Sequence, residues 1–184
     1  MLKISAVILD TYPDRKMVQR LENVETIHVF SDVAPDSSEK IDFIEIKPIT
    51  SMNEYGHALF NQVPNHIKND HLLVFQWDGF PINPPSWSDE FLKYDYIGPP
   101  NGTWVGNGGF SLRSLRLFDT LADLKININL SNPFDQLEDR LICTHYLQHL
   151  EMQGIRFAPY QLAEKFAYDA GGKVQFKSDV FGFH

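Results

Sequence analysis

Cysteine is almost absent from this chain of 184 residues, because Cys143 is the only one. A single cysteine excludes an intrachain disulfide and favours a reducing compartment. Long apolar runs are missing too, since none approaches the roughly 20 residues of a membrane-spanning helix. The first apolar run, at residues 4–9, is too short for a signal-peptide core. We therefore expect a cytoplasmic protein with no transmembrane segment.

Positive charge is in deficit. The chain has 16 Lys and Arg against 24 Asp and Glu, which gives a formal net charge of -8. The basic residues form no run, so bulk attraction to nucleic acid or anionic lipid is not expected. The sequence also lacks a P-loop, a G-x-S-x-G motif and paired C-x-x-C motifs. The sequence therefore carries no signature of a P-loop phosphate site, a serine-hydrolase nucleophile or a cysteine-based zinc site.

The apolar pattern predicts one α/β domain spanning residues 1–184. Apolar runs at 4–9, interrupted only by Ser5, and at 72–75 are typical of strands buried on both faces. Between them, Ser51 and Glu54 have the spacing of a capping box at the start of a helix. Strands that alternate with helices favour a central, mostly parallel mixed sheet flanked by helices.

Polar, acid-bearing segments follow three predicted strands, at 4–9, 26–30 and 72–75. They are Asp10-Thr11, Ser31-Asp32 and the run Gln76-Trp77-Asp78-Gly79. In open α/β sheets, ligands bind outside the carboxyl ends of the strands. A cleft lined with acids suits a divalent cation and a phosphorylated ligand. The alternative is that these acids only cap helices or fill turns.

A glycine-rich loop is predicted at residues 102–112. Four glycines lie within its first eight residues, 102–109. Such a loop adopts backbone angles that other residues avoid, or lets the backbone approach another group closely. The alternative is a tight structural turn between two strand segments.

Several blocks in a fixed order carry a family resemblance. They are LVFQWDGF at 73–80, YDYIG at 94–98, VGNGGFSLRS at 105–114, the acidic pair Glu138-Asp139, and FGFH at 181–184. Together they resemble a little-characterised family of short glycosyltransferase-like proteins, over nearly the whole chain. The order also looks like that of the GT-A glycosyltransferases. That class has a Rossmann-like fold and binds a nucleotide sugar, usually with Mn²⁺ or Mg²⁺.

The resemblance implies a site for a nucleotide-sugar donor. Asp78 would bind metal and diphosphate, with His184 as a second metal ligand or a diphosphate contact. Gln76 stands where the class usually has its first aspartate, which puts the metal in doubt, and a neutral amide can instead hydrogen-bond a ribose or sugar hydroxyl. Without metal, cations such as Arg15 or Arg113 would have to neutralise the phosphates. The implied donor-binding residues are Asp10, Thr11, Arg15, Asp32, Gln76, Trp77 and Asp78.

The resemblance also implies a site for the transferred sugar and the acceptor. The implied residues are Trp104, Asn107, Gly108 and Gly109. Asp139 would be the base that takes the proton from an acceptor hydroxyl, and Glu138 would orient the acceptor or serve structurally. Two alternatives stay open: Glu138 closes a capping box with Asp135, and Trp104 only packs against the loop.

We therefore expect a glycosyltransferase, inverting with an aspartate base, that uses a nucleotide sugar and a hydroxyl acceptor. One alternative is a non-catalytic sugar- or nucleotide-binding module, and another is a metal-dependent nucleotidyltransferase. Arg113 is expected to lie on the solvated surface and Tyr55 to pack in the core. A helix is also expected from Asp135 to Gln153, and a strand from Ile155 to Ala158.

Overall fold

A computed structural model describes residues 2–9, 24–35, 41–102, 104–132, 134, 136–171 and 179–184 of the chain. It has the α/β architecture expected from the sequence, with a central, mostly parallel mixed sheet flanked by helices. The sequence-based candidates Asp10, Thr11, Arg15 and Asp135 lie outside the described residues.

The central sheet has six strands. They are β1 (Leu2–Leu9), β2 (Val24–Ser31), β3 (Ile41–Glu45), β4 (His71–Phe75), β6 (Tyr96–Ile97) and β9 (Phe110–Ser114). Their order across the sheet is β3-β2-β1-β4-β9-β6. β1, β2, β3 and β4 run parallel, whereas β9 pairs antiparallel with both β4 and β6. Strand order reverses between β1 and β4, so their carboxyl ends flank the crevice where α/β sheets bind ligands.

The apolar runs of β1 and β4 are buried because the sheet has a hydrophobic core on each face. Val7 of β1 and Val74 of β4 belong to one core, whereas Ile8 and Phe75 belong to the other. All four side chains are at most 1% exposed. This double burial explains why the two strands lack the alternation of a half-buried strand.

The described helices pack around this sheet. They are α1 (Met52–Asn61), α2 (Leu115–Asp123), α3 (Glu138–Arg140), α4 (Leu147–Met152) and α5 (Tyr160–Phe166). Ser51 and Ser114 cap α1 and α2 by accepting hydrogen bonds from the N–H groups of Glu54 and Leu117. None of the described helices combines the length and apolarity that a membrane crossing requires.

The helix expected over 135–153 is broken within its described part. α3 passes into a π-helical turn at Leu141–His145, which is closed by a hydrogen bond of 2.9 Å from Tyr146 N to Leu141 O. α4 follows, and Gly154 ends it with a φ of 82°. The strand expected at 155–158 is wrong: Phe157 forms only an isolated bridge with Tyr96.

Short strands complete the described fold beside the carboxyl edge of β4. A three-stranded sheet joins β10 (Ala167–Tyr168), β11 (Gly182–Phe183) and β5 (Phe80–Pro81), and a hairpin joins β7 (Pro100–Asn101) to β8 (Trp104–Val105). β11 lies between β10 and β5, so residues 181–184 are held against the segment that follows β4.

Candidate functional site

A two-residue turn at the carboxyl end of β4 presents Trp77 and Asp78. Gln76 N donates to Gly79 O at 3.2 Å, and Gly79 N donates to Gln76 O at 3.1 Å. This closed pair fixes Asp78 at the tip of the turn, where its side chain is 41% exposed. Trp77 is 69% exposed, so its ring lies in solvent rather than in the core.

His184 faces Asp78. The imidazole Nε2 lies 3.8 Å from Asp78 Oδ1. Both atoms are buried and have no hydrogen-bond partner among the described residues. Backbone hydrogen bonds from His184 N to Tyr168 O (2.8 Å) and from Ala170 N to His184 O (2.7 Å) tie His184 to the end of β10 and to the residues that follow it.

Two glycines make room for the His184 ring. A Cβ atom on Gly79 would lie 2.6 Å from His184 Cδ2, and one on Gly109 would overlap the ring nitrogen. The same Cβ on Gly109 would lie 2.8 Å from Gln76 Oε1. The amide of Gln76, the imidazole of His184 and the Gly109 backbone therefore meet at one point.

The pair Asp78 and His184 fits a divalent cation as two of its ligands. Each ligand atom of a small divalent cation lies at about 2.0–2.2 Å from the metal, so two of them span at most about 4.4 Å. The observed 3.8 Å between Oδ1 and Nε2 is within that span. Among the described residues, no three His, Cys, Asp or Glu side chains group into a metal site. Water and a bound phosphate are two sources of further ligands for such a cation.

The glycine-rich loop joins this cluster to Asp139. Gly108 N donates to Asp139 Oδ2 at 3.0 Å, and Gly109 N donates to Asn107 Oδ1 at 3.1 Å. Gly106 has a φ of 147°, a region that glycine tolerates and other residues avoid. Because Gly108 and Gly109 are consecutive, the Asp139 carboxylate and the His184 imidazole approach neighbouring residues of one loop.

Arg113 and Glu138 form a buried ion pair behind the loop. Arg113 Nη2 lies 2.7 Å from Glu138 Oε1, and their side chains are 0% and 4% exposed. Arg113 Nε also donates to Ser111 Oγ at 2.9 Å, and its guanidinium lies over the Tyr96 ring. The expectation that Arg113 is a surface residue is therefore wrong. Glu138 is engaged by Arg113 rather than exposed to solvent.

Asp139 lies at the edge of this buried cluster. Its Oδ1 accepts a hydrogen bond from Arg140 N at 2.7 Å, while Oδ2 accepts the one from Gly108. Burial raises the pKa of the Asp139 carboxyl, and the neighbouring charge of Glu138 raises it further. A raised pKa makes this carboxylate a stronger base than a solvated aspartate.

A cleft of about 380 Å³ opens beside the Asp78–His184 pair. Its described lining comprises Asp78, Asn101, Asn107, Asp169, Ala170, Gly171, Phe183 and His184. Asn101 and Asp169 could not be identified from the sequence, because neither belongs to a recognisable motif. Asp169 Oδ2 accepts a hydrogen bond from Asn107 Nδ2 at 3.3 Å, a contact between residues 62 positions apart.

The remaining sequence-derived candidates take separate places. Asp32 follows β2, and its Oδ1 is buried with no hydrogen-bond partner among the described residues. Trp104 is half-buried and packs against the hydrophobic core. Tyr55 is in that core with 6% exposure, as expected. Burial raises the pKa of the Cys143 thiol, which keeps it neutral.

The fold resembles that of a solved glycosyltransferase. The mannosyltransferase PcManGT from Pyrobaculum calidifontis, in complex with GDP-Man and Mn²⁺, matches 83% of this chain with a TM-score of 0.53. The two sequences are 12% identical, and the match covers 53% of the mannosyltransferase chain. This chain therefore spans about half the length of that protein.

Comparison with curated proteins gives no match. A protein-family model does match, over residues 39–184, and it carries the description "Protein of unknown function (DUF5672)". The matched region contains β3, β4, the glycine-rich loop, Asp139 and the segment ending at His184. The chain thus belongs to the DUF5672 family.

Proposed function

We propose that the protein is a glycosyltransferase that moves a sugar from a nucleotide-sugar donor to an acceptor hydroxyl, with inversion at the anomeric carbon. One observation carries the proposal: Gly108 binds the Asp139 carboxylate while Gly109 lies against the His184 ring, which faces Asp78. A candidate base and a candidate diphosphate site thus meet at adjacent residues of one loop. The structural match to a mannosyltransferase supports the same class of reaction.

Asp78 and His184 would hold a divalent cation at the donor end. The two buried atoms without hydrogen-bond partners among the described residues, 3.8 Å apart, support this assignment. Bound there, Mn²⁺ or Mg²⁺ would supply Lewis-acid neutralisation of the diphosphate charge. The fold neighbour was solved with GDP-Man and Mn²⁺, which supports the same kind of donor here.

The other donor contacts follow from position at the carboxyl edge. Gln76 offers a neutral amide beside His184, suited to a ribose or sugar hydroxyl. Trp77 offers an exposed ring next to Asp78. Asp32 is proposed from its place after β2, and Asp10, Thr11 and Arg15 are proposed from the sequence alone.

Asp139 would act as the general base. As the acceptor oxygen bonds to the anomeric carbon, its proton passes to Asp139, and the bond from that carbon to the diphosphate oxygen breaks. The electron pair of that bond leaves with the nucleoside diphosphate. The raised pKa of Asp139 supports this role, because a stronger base takes the proton more readily.

The buried ion pair Arg113–Glu138 would help to position the candidate base, Asp139. Arg113 Nη2 contacts both Glu138 Oε1, at 2.7 Å, and Gly108 O, at 3.3 Å. The guanidinium therefore holds the loop and the acidic pair in one arrangement. We propose that Glu138 is structural rather than reactive, since its carboxylate is buried against Arg113. Trp104, Asn107, Gly108 and Gly109 would line the path of the transferred sugar.

Product analysis tests the proposal. Purified protein is incubated with GDP-mannose or UDP-glucose and Mn²⁺, and the nucleotide products are separated by chromatography. A glycosyltransferase releases nucleoside diphosphate, slowly even without an acceptor. Nucleoside monophosphate from the nucleotide sugar, or pyrophosphate in parallel assays with nucleoside triphosphates, would indicate nucleotidyl chemistry instead. Binding without any turnover would indicate the non-catalytic module.

A further inference from the structure

Asp169 is a buried carboxylate beside the cleft. The residue is 3% exposed and follows β10 directly. Its two oxygens accept hydrogen bonds from different partners: Oδ1 from Gly171 N at 2.8 Å and Oδ2 from Asn107 Nδ2 at 3.3 Å. Burying a carboxylate is costly unless such bonds compensate for the lost water. A carboxylate at this position is therefore explained by its hydrogen bonds rather than by its volume.

The carboxylate sets the orientation of the Asn107 amide. An ionised carboxylate only accepts hydrogen bonds, so the side of Asn107 that faces Asp169 must be its NH₂ group. The amide oxygen of Asn107 is then turned to the Gly109 N–H, which donates to it at 3.1 Å. With the opposite orientation, two donors would face each other at Gly109. Asp169 thus selects the one orientation in which Asn107 secures the loop.

The segment that carries Asp169 also holds His184. Tyr168 O accepts from His184 N at 2.8 Å, and Ala170 N donates to His184 O at 2.7 Å, on either side of Asp169. Asp169 therefore ties the glycine-rich loop to the backbone that places the imidazole. The glycine-rich loop, through Asn107, and the His184 backbone therefore both contact the segment that contains Asp169.

We infer that Asp169 is a positioning residue of the proposed donor site. It fixes the Asn107 side chain and, through it, the glycine-rich loop that contacts both Asp139 and His184. This inference rests on the proposed function. Asp169 acts through Asn107, so its loss is expected to loosen the loop. Supporting groups of this kind typically change affinity or activity by about 10- to 100-fold when mutated.

A reciprocal exchange of two side chains tests the inference. In Asp169→Asn, one amide oxygen cannot accept from both Gly171 N and Asn107, so one contact is lost. In Asn107→Asp, two carboxylates face each other. In the double variant, the carboxylate at position 107 accepts hydrogen bonds from Gly109 N and from the NH₂ group of the amide at position 169. The oxygen of that amide accepts a hydrogen bond from Gly171 N. The number of hydrogen bonds and the charge are then both restored.

The first measurement is amide hydrogen exchange at Gly108 and Gly109, followed by NMR without ligand. We expect each single variant to accelerate exchange at Gly109 by about tenfold or more, and the double variant to return it towards the wild-type rate. Exchange at Val74 in the buried strand β4 should stay unchanged in all three, which separates loop loosening from global unfolding. Unaltered exchange at Gly109 in Asp169→Asn would overturn the inference.

The second measurement is calorimetric binding of GDP-mannose and of UDP-glucose, each with Mn²⁺. Asp169→Asn should weaken the tighter of the two by about 10- to 100-fold, and the double variant should recover most of the loss. Asp119→Asn, an exposed change on α2, is the matched control and should bind like wild type. Full affinity in Asp169→Asn, or no recovery in the double variant, would remove Asp169 from the site while leaving the proposed function intact. If wild type binds neither donor, the proposed function and the donor-site role of Asp169 both fall.

Discussion

Gly108 and Asp139 are 31 residues apart in sequence, yet the Gly108 N–H donates a hydrogen bond of 3.0 Å to the Asp139 carboxylate. A side chain at position 108 would disturb this arrangement, because its Cβ would overlap Glu138 Oε1 and lie 3.0 Å from Arg113 Nη2. The candidate base and the glycine-rich loop therefore form one unit. What anchors the loop also places the base.

The buried ion pair gives the first testable consequence. Glu138→Gln leaves the Arg113 guanidinium buried without its counter-charge, and such changes typically destabilise a protein by about 3–5 kcal/mol. We expect a loss of this size in the free energy of unfolding, measured by urea denaturation. The double variant Arg113→Met with Glu138→Leu should cost less than the single change, because no unpaired charge remains.

The exposed pair Lys93–Glu90 is the control for that experiment. Its side chains are 62% and 57% exposed. Lys93→Met should change the free energy of unfolding by about 0–1 kcal/mol, as is usual for surface pairs. A loss of less than about 1 kcal/mol in Glu138→Gln would contradict the expected cost of leaving the Arg113 charge buried without its partner.

The raised pKa of Asp139 gives a prediction for the pH dependence of turnover. A base must be deprotonated to act, so kcat/KM should fall as the pH drops through the pKa of Asp139. Because burial and Glu138 raise that pKa, the acid limb should lie above about 3.9, the ordinary value for aspartate. Donor hydrolysis measured across the acidic range checks this. An acid limb at or below the ordinary value would contradict Asp139 as the base.

The buried His28 gives a prediction for stability. Burial lowers its pKa, although Asp42, whose Oδ2 lies 3.1 Å from Nδ1, acts in the opposite direction. His66 and Lys68 lower the pKa further. The unfolded chain therefore binds this proton more readily than the folded one, and stability should fall as the pH drops below about 6.5.

Urea unfolding at a series of pH values measures this effect. His28→Gln should reduce the pH dependence of the free energy of unfolding between neutral and mildly acidic pH. His57→Gln, which changes a half-buried histidine on α1, serves as the comparison for the loss of an imidazole elsewhere in the fold. An identical slope in wild type and His28→Gln would show that His28 does not link protonation to unfolding.

The proposed cation site gives a further prediction. His184→Ala and Asp78→Ala should each weaken binding of Mn²⁺ with GDP, because each removes one of the two candidate ligand atoms. Titration calorimetry with GDP, with and without Mn²⁺, measures the loss. His149→Ala, an exposed change on α4, is the control. Unchanged affinity in both site variants would rule out the assigned ligands.

Several elements of the fold could be predicted from the sequence because their signals are local. The apolar run at 72–75 predicted β4, and the polar residues after it predicted the turn that presents Asp78. The spacing of Ser51 and Glu54 predicted the start of α1, where the Ser51 side chain accepts a hydrogen bond from Glu54 N. In each case the determining contact lies within a few residues of the signal.

Features set by distant contacts could not be predicted in this way. The partner of Arg113 lies 25 residues away, so the strand sequence alone gave no sign that its charge is buried. Asp169 contacts a residue 62 positions earlier, and no motif marks it. The π-helical turn after Arg140 was missed as well, because its apolar residues also fit a continuous helix.

The most direct measurement compares donor turnover with donor binding in Asp139→Asn, with Asp123→Asn on the exposed face of α2 as the control. We expect turnover to fall by about 10²-fold or more, as for other general bases, while the affinity for the nucleotide sugar with Mn²⁺ stays close to that of wild type. Turnover near the wild-type rate in Asp139→Asn would contradict the assignment of Asp139 as the base.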